Sequence, residues 1–220
     1  MKRRLWLAAV IGLWPSAVLA EGPVLVMGDS IMAWNGAASL AAALERGLDR
    51  PVENASVPGA QIAPRGLRRL VFEIGAQYTP GDWSWVVLNG GANDLFDRCG
   101  CQRCDDVLDD LVAADGRRGE IANIVDDLRQ TGARVLYLGY YGPSGRGGDF
   151  DICEDELTEL DARMARMAQI VPELEFIDGG DAMSAATPDD YDADNVHPAP
   201  RGSAKLGALA AAAIGRAEAR

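Results

Sequence analysis

The stretch EGPVLVMGDSIMAWNG (Glu21–Gly36) contains an apolar run, Val24 to Met27, that stops at Gly28-Asp29-Ser30. An unbroken apolar run of this length reads as a strand buried on both faces, the pattern of a parallel sheet. Such a strand presents Ser30 at its carboxyl end, where open parallel sheets bind their ligands. Alone, the tripeptide is equally an ordinary strand-to-helix turn in which Ser30 caps the next helix. A serine nucleophile needs more: a base, an acid to orient that base, and donors for an oxyanion.

Working outward, four more β-rich segments follow: Val52–Ser56, Trp85–Gly90, Arg134–Tyr140 and Glu175–Asp178. Between them lie stretches rich in Ala, Leu, Arg and Glu that read as helices: Ala37–Leu48, Leu67–Tyr78, Glu120–Thr131 and Glu154–Val171, with Arg201–Ala217 closing the chain. Strand and helix alternate throughout. The expectation is an α/β fold: a three-layer α/β/α sandwich around a five-stranded parallel sheet, flavodoxin-like in arrangement. Three stretches read as irregular: Asp97–Asp110, Gly142–Cys153 and Ala182–His197. No repeat or Pro/Gly linker divides residues 21–220, which are expected to form one domain.

Residues 1–20 read as an export signal. Lys2, Arg3 and Arg4 precede the apolar run LWLAAVIGLW, Pro15 breaks it, and Val18-Leu19-Ala20 supplies a cleavage site after Ala20. From Leu5 to Ala20 the segment is shorter than the ~20 residues that span a bilayer, so no stable membrane anchor is expected. The location expected is periplasmic or secreted. With Lys2, Arg3 and Arg4 gone, net charge moves from −12 to −15. That acidity disfavours nucleic acid, whose phosphates reward basic surface.

The chain has one histidine, His197, in DNVHPAP. A neutral imidazole accepts the serine proton at one ring nitrogen when a carboxylate holds the other. Asp194, three residues earlier, is within reach through one tight turn, and Asp192 is the runner-up. For the oxyanion, GGANDL supplies the Asn93 side-chain amide, and NASVPGA supplies Gly59, whose backbone N–H is open to close approach. The backbone N–H of Ser30 is the third donor. Ser30, Gly59, Asn93 and His197 all follow strand ends, so they can converge although scattered in sequence.

In this order the blocks Gly28-Asp29-Ser30, Gly59, Gly91-Ala92-Asn93-Asp94 and Asp194-Asn195-Val196-His197 resemble the SGNH/GDSL hydrolase family. The resemblance spans nearly all of residues 21–220. It implies a three-layer α/β/α fold and hydrolysis of carboxylic esters through a Ser30 acyl-enzyme without metal; no cofactor is expected. A small-molecule or glycan ester is the expected partner, small acyl or acetyl esters first, with aryl or alkyl esters, thioesters and lysophospholipids also open. The chain departs from the family in Ile31-Met32, where Leu-Ser is frequent, and in the insert DRCGCQRCDD. Trp34, Phe96, Tyr140 and Tyr141 are candidates for the pocket wall.

Two other readings compete. A phosphate-binding protein is disfavoured, because Gly28-Asp29-Ser30 lacks the P-loop lysine and Asp29 repels phosphate. The alternative is a non-catalytic periplasmic binding domain that keeps the fold. The complete Ser/Asn/His/Asp set favours the enzyme. Finally, Cys99, Cys101, Cys104 and Cys153 allow a zinc site, but an oxidising compartment makes two disulfides the expectation. A Cys99–Cys101 bridge is disfavoured by geometry, so one bridge should join Cys153 to the 99–104 insert.

Overall fold

Where the apolar runs lie, five strands form: β1 (Val24–Met27), β2 (Val52–Asn54), β3 (Trp85–Leu88), β4 (Arg134–Leu138) and β5 (Leu174–Ile177). They are those of a computed structural model that describes residues 22–220. The expected export signal over residues 1–20 lies outside the described residues. All pairings are parallel, in the order β2-β1-β3-β4-β5, with Val24 opposite both Val52 and Trp85. This is the flavodoxin-like order, which reverses direction between β1 and β3 and opens a crevice there. β1 and β3 are buried along their whole length, whereas the edge strand β2 exposes Glu53 and Asn54.

The helices are α1 (Ser30–Ala33), α2 (Leu40–Leu48), α3 (Arg69–Phe72), α4 (Ala92–Cys99), α5 (Asp105–Leu111), α6 (Glu120–Gln130), α7 (Glu154–Ile170) and α8 (Pro200–Glu218). α2 packs against α8. Right-handed crossovers put these two on one face of the sheet and the connections after β2, β3 and β4 on the other. Among the described residues no helix is long and apolar enough to cross a membrane.

Two stretches depart from expectation. The helix expected over Leu67–Tyr78 is broken into a 3-10 turn at Gly66–Arg68, the single turn of α3, and a 3-10 turn at Ile74–Gln77. The cause is tertiary. Gln61 N–H donates to Phe72 O at 2.7 Å and Ile74 N–H donates to Gln61 O at 2.9 Å. This bridge holds Glu73 extended and diverts the bonds a continuous helix would use. Conversely, Asp97–Asp110, expected to be irregular, contains the end of α4 and most of α5. Between them Cys101 and Arg103 take left-handed conformations, and disulfides join Cys99 to Cys104 and Cys101 to Cys153.

Candidate active site

The turn after β1 depends on glycine. Gly28 has φ +156°, and a Cβ there would sit 2.9 Å from Asn89 O and from Met32 Cγ. Its N–H and C=O are both taken by one side chain: Gly28 N–H donates to Gln77 Oε1 at 2.7 Å, and Gln77 Nε2 donates to Gly28 O at 2.9 Å. The next residue, Asp29, caps α1 by accepting from Ile31 N–H at 2.9 Å. The capping role weighed for Ser30 therefore falls to Asp29, and the Ser30 hydroxyl is left available.

That hydroxyl lies 2.8 Å from His197 Nε2, and His197 Nδ1 lies 2.5 Å from Asp194 Oδ2. The other carboxylate oxygen, Asp194 Oδ1, accepts the backbone N–H groups of Val196 and His197, each at 2.9 Å. Burial raises the Asp194 pKa, but the His197 hydrogen bond and these two N–H groups outweigh it and hold the carboxyl below its ordinary value. Asp192 does something different: its Oδ2 accepts from Trp34 Nε1 at 2.8 Å. The loop bearing His197 is closed by Asp192 N–H to His197 O at 2.7 Å and Ala199 N–H to Asp190 O at 2.7 Å. Asp190, fully buried, anchors this loop to α8 through Arg201 and Lys205, each at 2.5 Å.

The Asn93 amide donates one hydrogen to Ala60 O at 2.9 Å, which fixes its orientation and leaves a second hydrogen free. Gln61 Nε2 donates to Asn93 O at 3.0 Å, steadying the backbone of the same residue. Asp94 Oδ2 accepts from Ile62 N–H and its Oδ1 from Ala63 N–H, both at 2.8 Å, so the loop carrying Gly59 is tied to α4. Burial pushes the Asp94 carboxyl up to about 6, against the pull of those N–H groups and Arg98. Gly59 follows the Val57 N–H bond to Gly28 O, 3.1 Å long, which keeps this loop beside the serine turn. Among the described residues, the Ser30 and Gly59 N–H groups donate to no protein acceptor.

Beside Ser30 and His197 opens a cavity of about 480 Å³, reaching Asn93, Tyr140, Phe150 and the α7 face at Leu157. Tyr140 and Tyr141, both pocket candidates, line it; Trp34, Phe96 and Gly59 do not. Trp34 instead stacks on His197, and Phe96 stacks on Phe150 with centroids 4.8 Å apart. Of the two departures at 31 and 32, Ile31 lines the cavity and Met32 is buried in the core.

Sequence reasoning missed the supporting contacts. Tyr140 O–H donates to Asp29 Oδ2 at 2.7 Å and accepts from Ala92 N–H at 3.0 Å, tying together β4, the serine turn and the start of α4. Burial, with Asp29 nearby, pushes the Tyr140 phenol well up, so it stays a donor. Gln77 is 49 residues from Gly28, and nothing local in sequence marks that pairing.

Solved structures share this fold. A carbohydrate acetylesterase from Sinorhizobium meliloti aligns with TM-score 0.68 at 13% identity, covering 89% of this chain and 99% of its own. The aryl esterase of M. smegmatis aligns with TM-score 0.67 at 14% identity, covering 89% and 99%. A GDSL-like lipase from Bacteroides thetaiotaomicron aligns with TM-score 0.62 at 19% identity, covering 90% and 89%. Among curated proteins none matches the sequence. The chain belongs to the GDSL-like lipase/acylhydrolase family, whose model matches residues 26–205. It is a carboxylic ester hydrolase.

Proposed function

We propose that this is an exported serine esterase in which Ser30 is the nucleophile, His197 the general base and Asp194 the acid that orients it. The observation that carries the reading is the unbroken relay from Ser30 Oγ to His197 Nε2, 2.8 Å, and from His197 Nδ1 to Asp194, 2.5 Å. Ser30 Oγ attacks the ester carbonyl carbon while His197 takes its proton, and the Asp194 carboxylate stabilises the imidazolium. The oxyanion is held by the N–H groups of Ser30 and Gly59 and the free hydrogen of the Asn93 amide. Collapse expels the alcohol with the proton from His197, leaving Ser30 acylated. Water, deprotonated by His197, then releases the acid.

Small acyl esters, acetyl esters among them, are the proposed substrates. Their support is the family and the fold shared with an acetylesterase and an aryl esterase. Residues 21–220 form the mature hydrolase domain in this reading, released into the periplasm or medium after cleavage of residues 1–20. Two disulfides, with no free cysteine among the described residues, suit an oxidising compartment.

A fluorophosphonate probe tests the catalytic reading. Labelling of the mature protein that maps to Ser30, and disappears in Ser30→Ala together with hydrolysis of p-nitrophenyl acetate, is the expected result. An unlabelled protein, or one labelled equally well after Ser30→Ala, would return the chain to the class of non-catalytic binding domains.

A further inference from the structure

The cavity beside Ser30 extends beyond the space an acetyl group fills. Its α7 wall is formed by Leu157, Thr158, Asp161, Ala162 and Ala165, one helical face at i, i+4 and i+8. Eight residues of helix span about 12 Å, and two of these five lining residues are alanines.

The acids that line the cavity, Asp29, Asp151, Glu154, Asp161 and Asp178, are not matched by any lysine or arginine lining it among the described residues. Clefts lined by charge of one sign concentrate the potential inside them. Asp29 is satisfied by Tyr140 and Ile31. Asp161 is not. Its Oδ2 accepts Tyr140 N–H at 2.9 Å, but its Oδ1 is buried without any partner. The carboxyl sits so close to β4's end that a Cβ at Gly139 would fall 2.8 Å from it. Glycine at 139 therefore makes room for an acid that has no counter-charge. Burial, with Asp178 nearby, pushes the Asp161 carboxyl well above its ordinary value, and a cation facing it would pull that value back down and favour the charged form. Tyr141, Phe150 and Phe176 line the same cavity, and aromatic faces attract quaternary ammonium groups.

We propose that the cavity beneath α7 is a subsite for an ammonium group of the ester substrate, with Asp161 supplying the counter-charge and Asp178 adding to it. The inference rests on Ser30 being an esterase nucleophile at the mouth of this cavity. It names the substrate class: esters with a cationic group in the acyl or the alcohol part, with anionic esters excluded.

The test uses esters matched in shape and differing in charge. In the alcohol series these are 2-(trimethylammonio)ethyl acetate and 3,3-dimethylbutyl acetate. In the acyl series they are the p-nitrophenyl esters of 4-(trimethylammonio)butyric and 5,5-dimethylhexanoic acids. The expected result is a kcat/KM ratio favouring the cation by about tenfold or more in one series, collapsing toward one in Asp161→Asn. The asparagine oxygen can still accept the Tyr140 N–H, and Asp178→Asn should shift the ratio the same way if Asp161→Asn does not fold. A ratio near one in both series, or one that survives in both variants, overturns the subsite. Calorimetric titration of Ser30→Ala with phenyltrimethylammonium reads the subsite without hydrolysis. Binding there that is lost in the Ser30→Ala/Asp161→Asn double variant supports it even should no ester be cleaved. No binding to Ser30→Ala overturns it, whatever esters the wild type hydrolyses.

Discussion

Trp34 lies flat on the imidazole of His197, with ring centroids 3.8 Å apart and planes 9° from parallel. The indole is itself held by Asp192 through Nε1, at 2.8 Å. The imidazole is thus fixed in plane by Asp194 and in tilt by Trp34. An aromatic face also favours a cation above it, so in the proposed mechanism the stack would stabilise the imidazolium formed as Ser30 gives up its proton. The two aspartates that the sequence offers make separate contacts: Asp194, the first choice, bonds the imidazole, and Asp192, the runner-up, bonds the ring stacked on it.

The separation gives the first prediction. Asp194→Asn should lower kcat by about 10³–10⁴-fold, because an amide cannot stabilise the imidazolium and favours the wrong tautomer. Asp192→Asn, whose side-chain oxygen can still accept from Trp34, should cost less than about tenfold, by the same distinction between orienting and supporting groups. Steady-state kinetics on p-nitrophenyl acetate for both variants decides. Equal losses would mean that the orienting acid has been misassigned.

Asn93→Ala should lower kcat by about 10²–10³-fold with a smaller change in KM, since in the proposed mechanism its amide binds the oxyanion more strongly than the ground-state carbonyl. A variant changed in KM alone would put Asn93 in substrate binding. Thermal melts belong with the kinetics, because the same amide bonds Ala60 O and its loss loosens the Gly59 loop.

Asp94 makes stability depend on pH. Its folded pKa is raised to about 6 by burial, above the ~3.9 of an exposed aspartate. Between those values the unfolded chain has lost this proton while the folded one keeps it, so the folded state binds more protons and stability falls as pH rises. The contribution is lost progressively from about pH 4 to about pH 6 and is then constant. Asp94→Asn does not titrate. Its Tm should therefore improve relative to wild type as pH is raised from 4 to 7. A constant difference in Tm across that range would show that the Ile62 and Ala63 N–H groups cancel the burial.

The two disulfides should differ in weight. Cys101–Cys153 closes a loop with a sequence separation of 52, Cys99–Cys104 one of 5. Loop-closure entropy then assigns about 4 kcal/mol to the first and about 2 kcal/mol to the second. Urea unfolding of the Cys101→Ser/Cys153→Ser and Cys99→Ser/Cys104→Ser variants should show the larger loss for the first pair. It ties α4 to the start of α7, both of which border the cavity, so its removal should also raise KM. Equal losses would mean that the reduced unfolded chain keeps structure around the insert.

The central strands were legible because burial on both faces forces an unbroken apolar run: Val24–Met27 and Trp85–Leu88 have no polar residue to hide. Edge strands are less constrained, and β2 ends at Asn54, short of the Val52–Ser56 stretch, where the Asn54 side chain bonds Met32 O and Ser56 N–H. Residue types suited to a nucleophile, a base and an oxyanion donor were also readable. A serine after a buried strand, a lone histidine three residues past an aspartate, and an asparagine after a double glycine are local patterns.

What sequence by itself determined is therefore the alternation of elements and the set of reactive groups at strand ends. Tertiary structure decided how those groups are held. Gln77 grips both backbone atoms of Gly28, Tyr140 joins Asp29 to Ala92, and Asp190 anchors the histidine loop through Arg201 and Lys205. The break in the helix expected over Leu67–Tyr78 belongs to the same category, since a bridge to Gln61 overrides the local preference. A strand or a helix start is written in the periodicity of neighbouring residues, because its hydrogen bonds and burial repeat along the chain. A polar side chain that satisfies a backbone group 49 residues away leaves no periodic trace; its partner exists only once the sheet has brought the loops together.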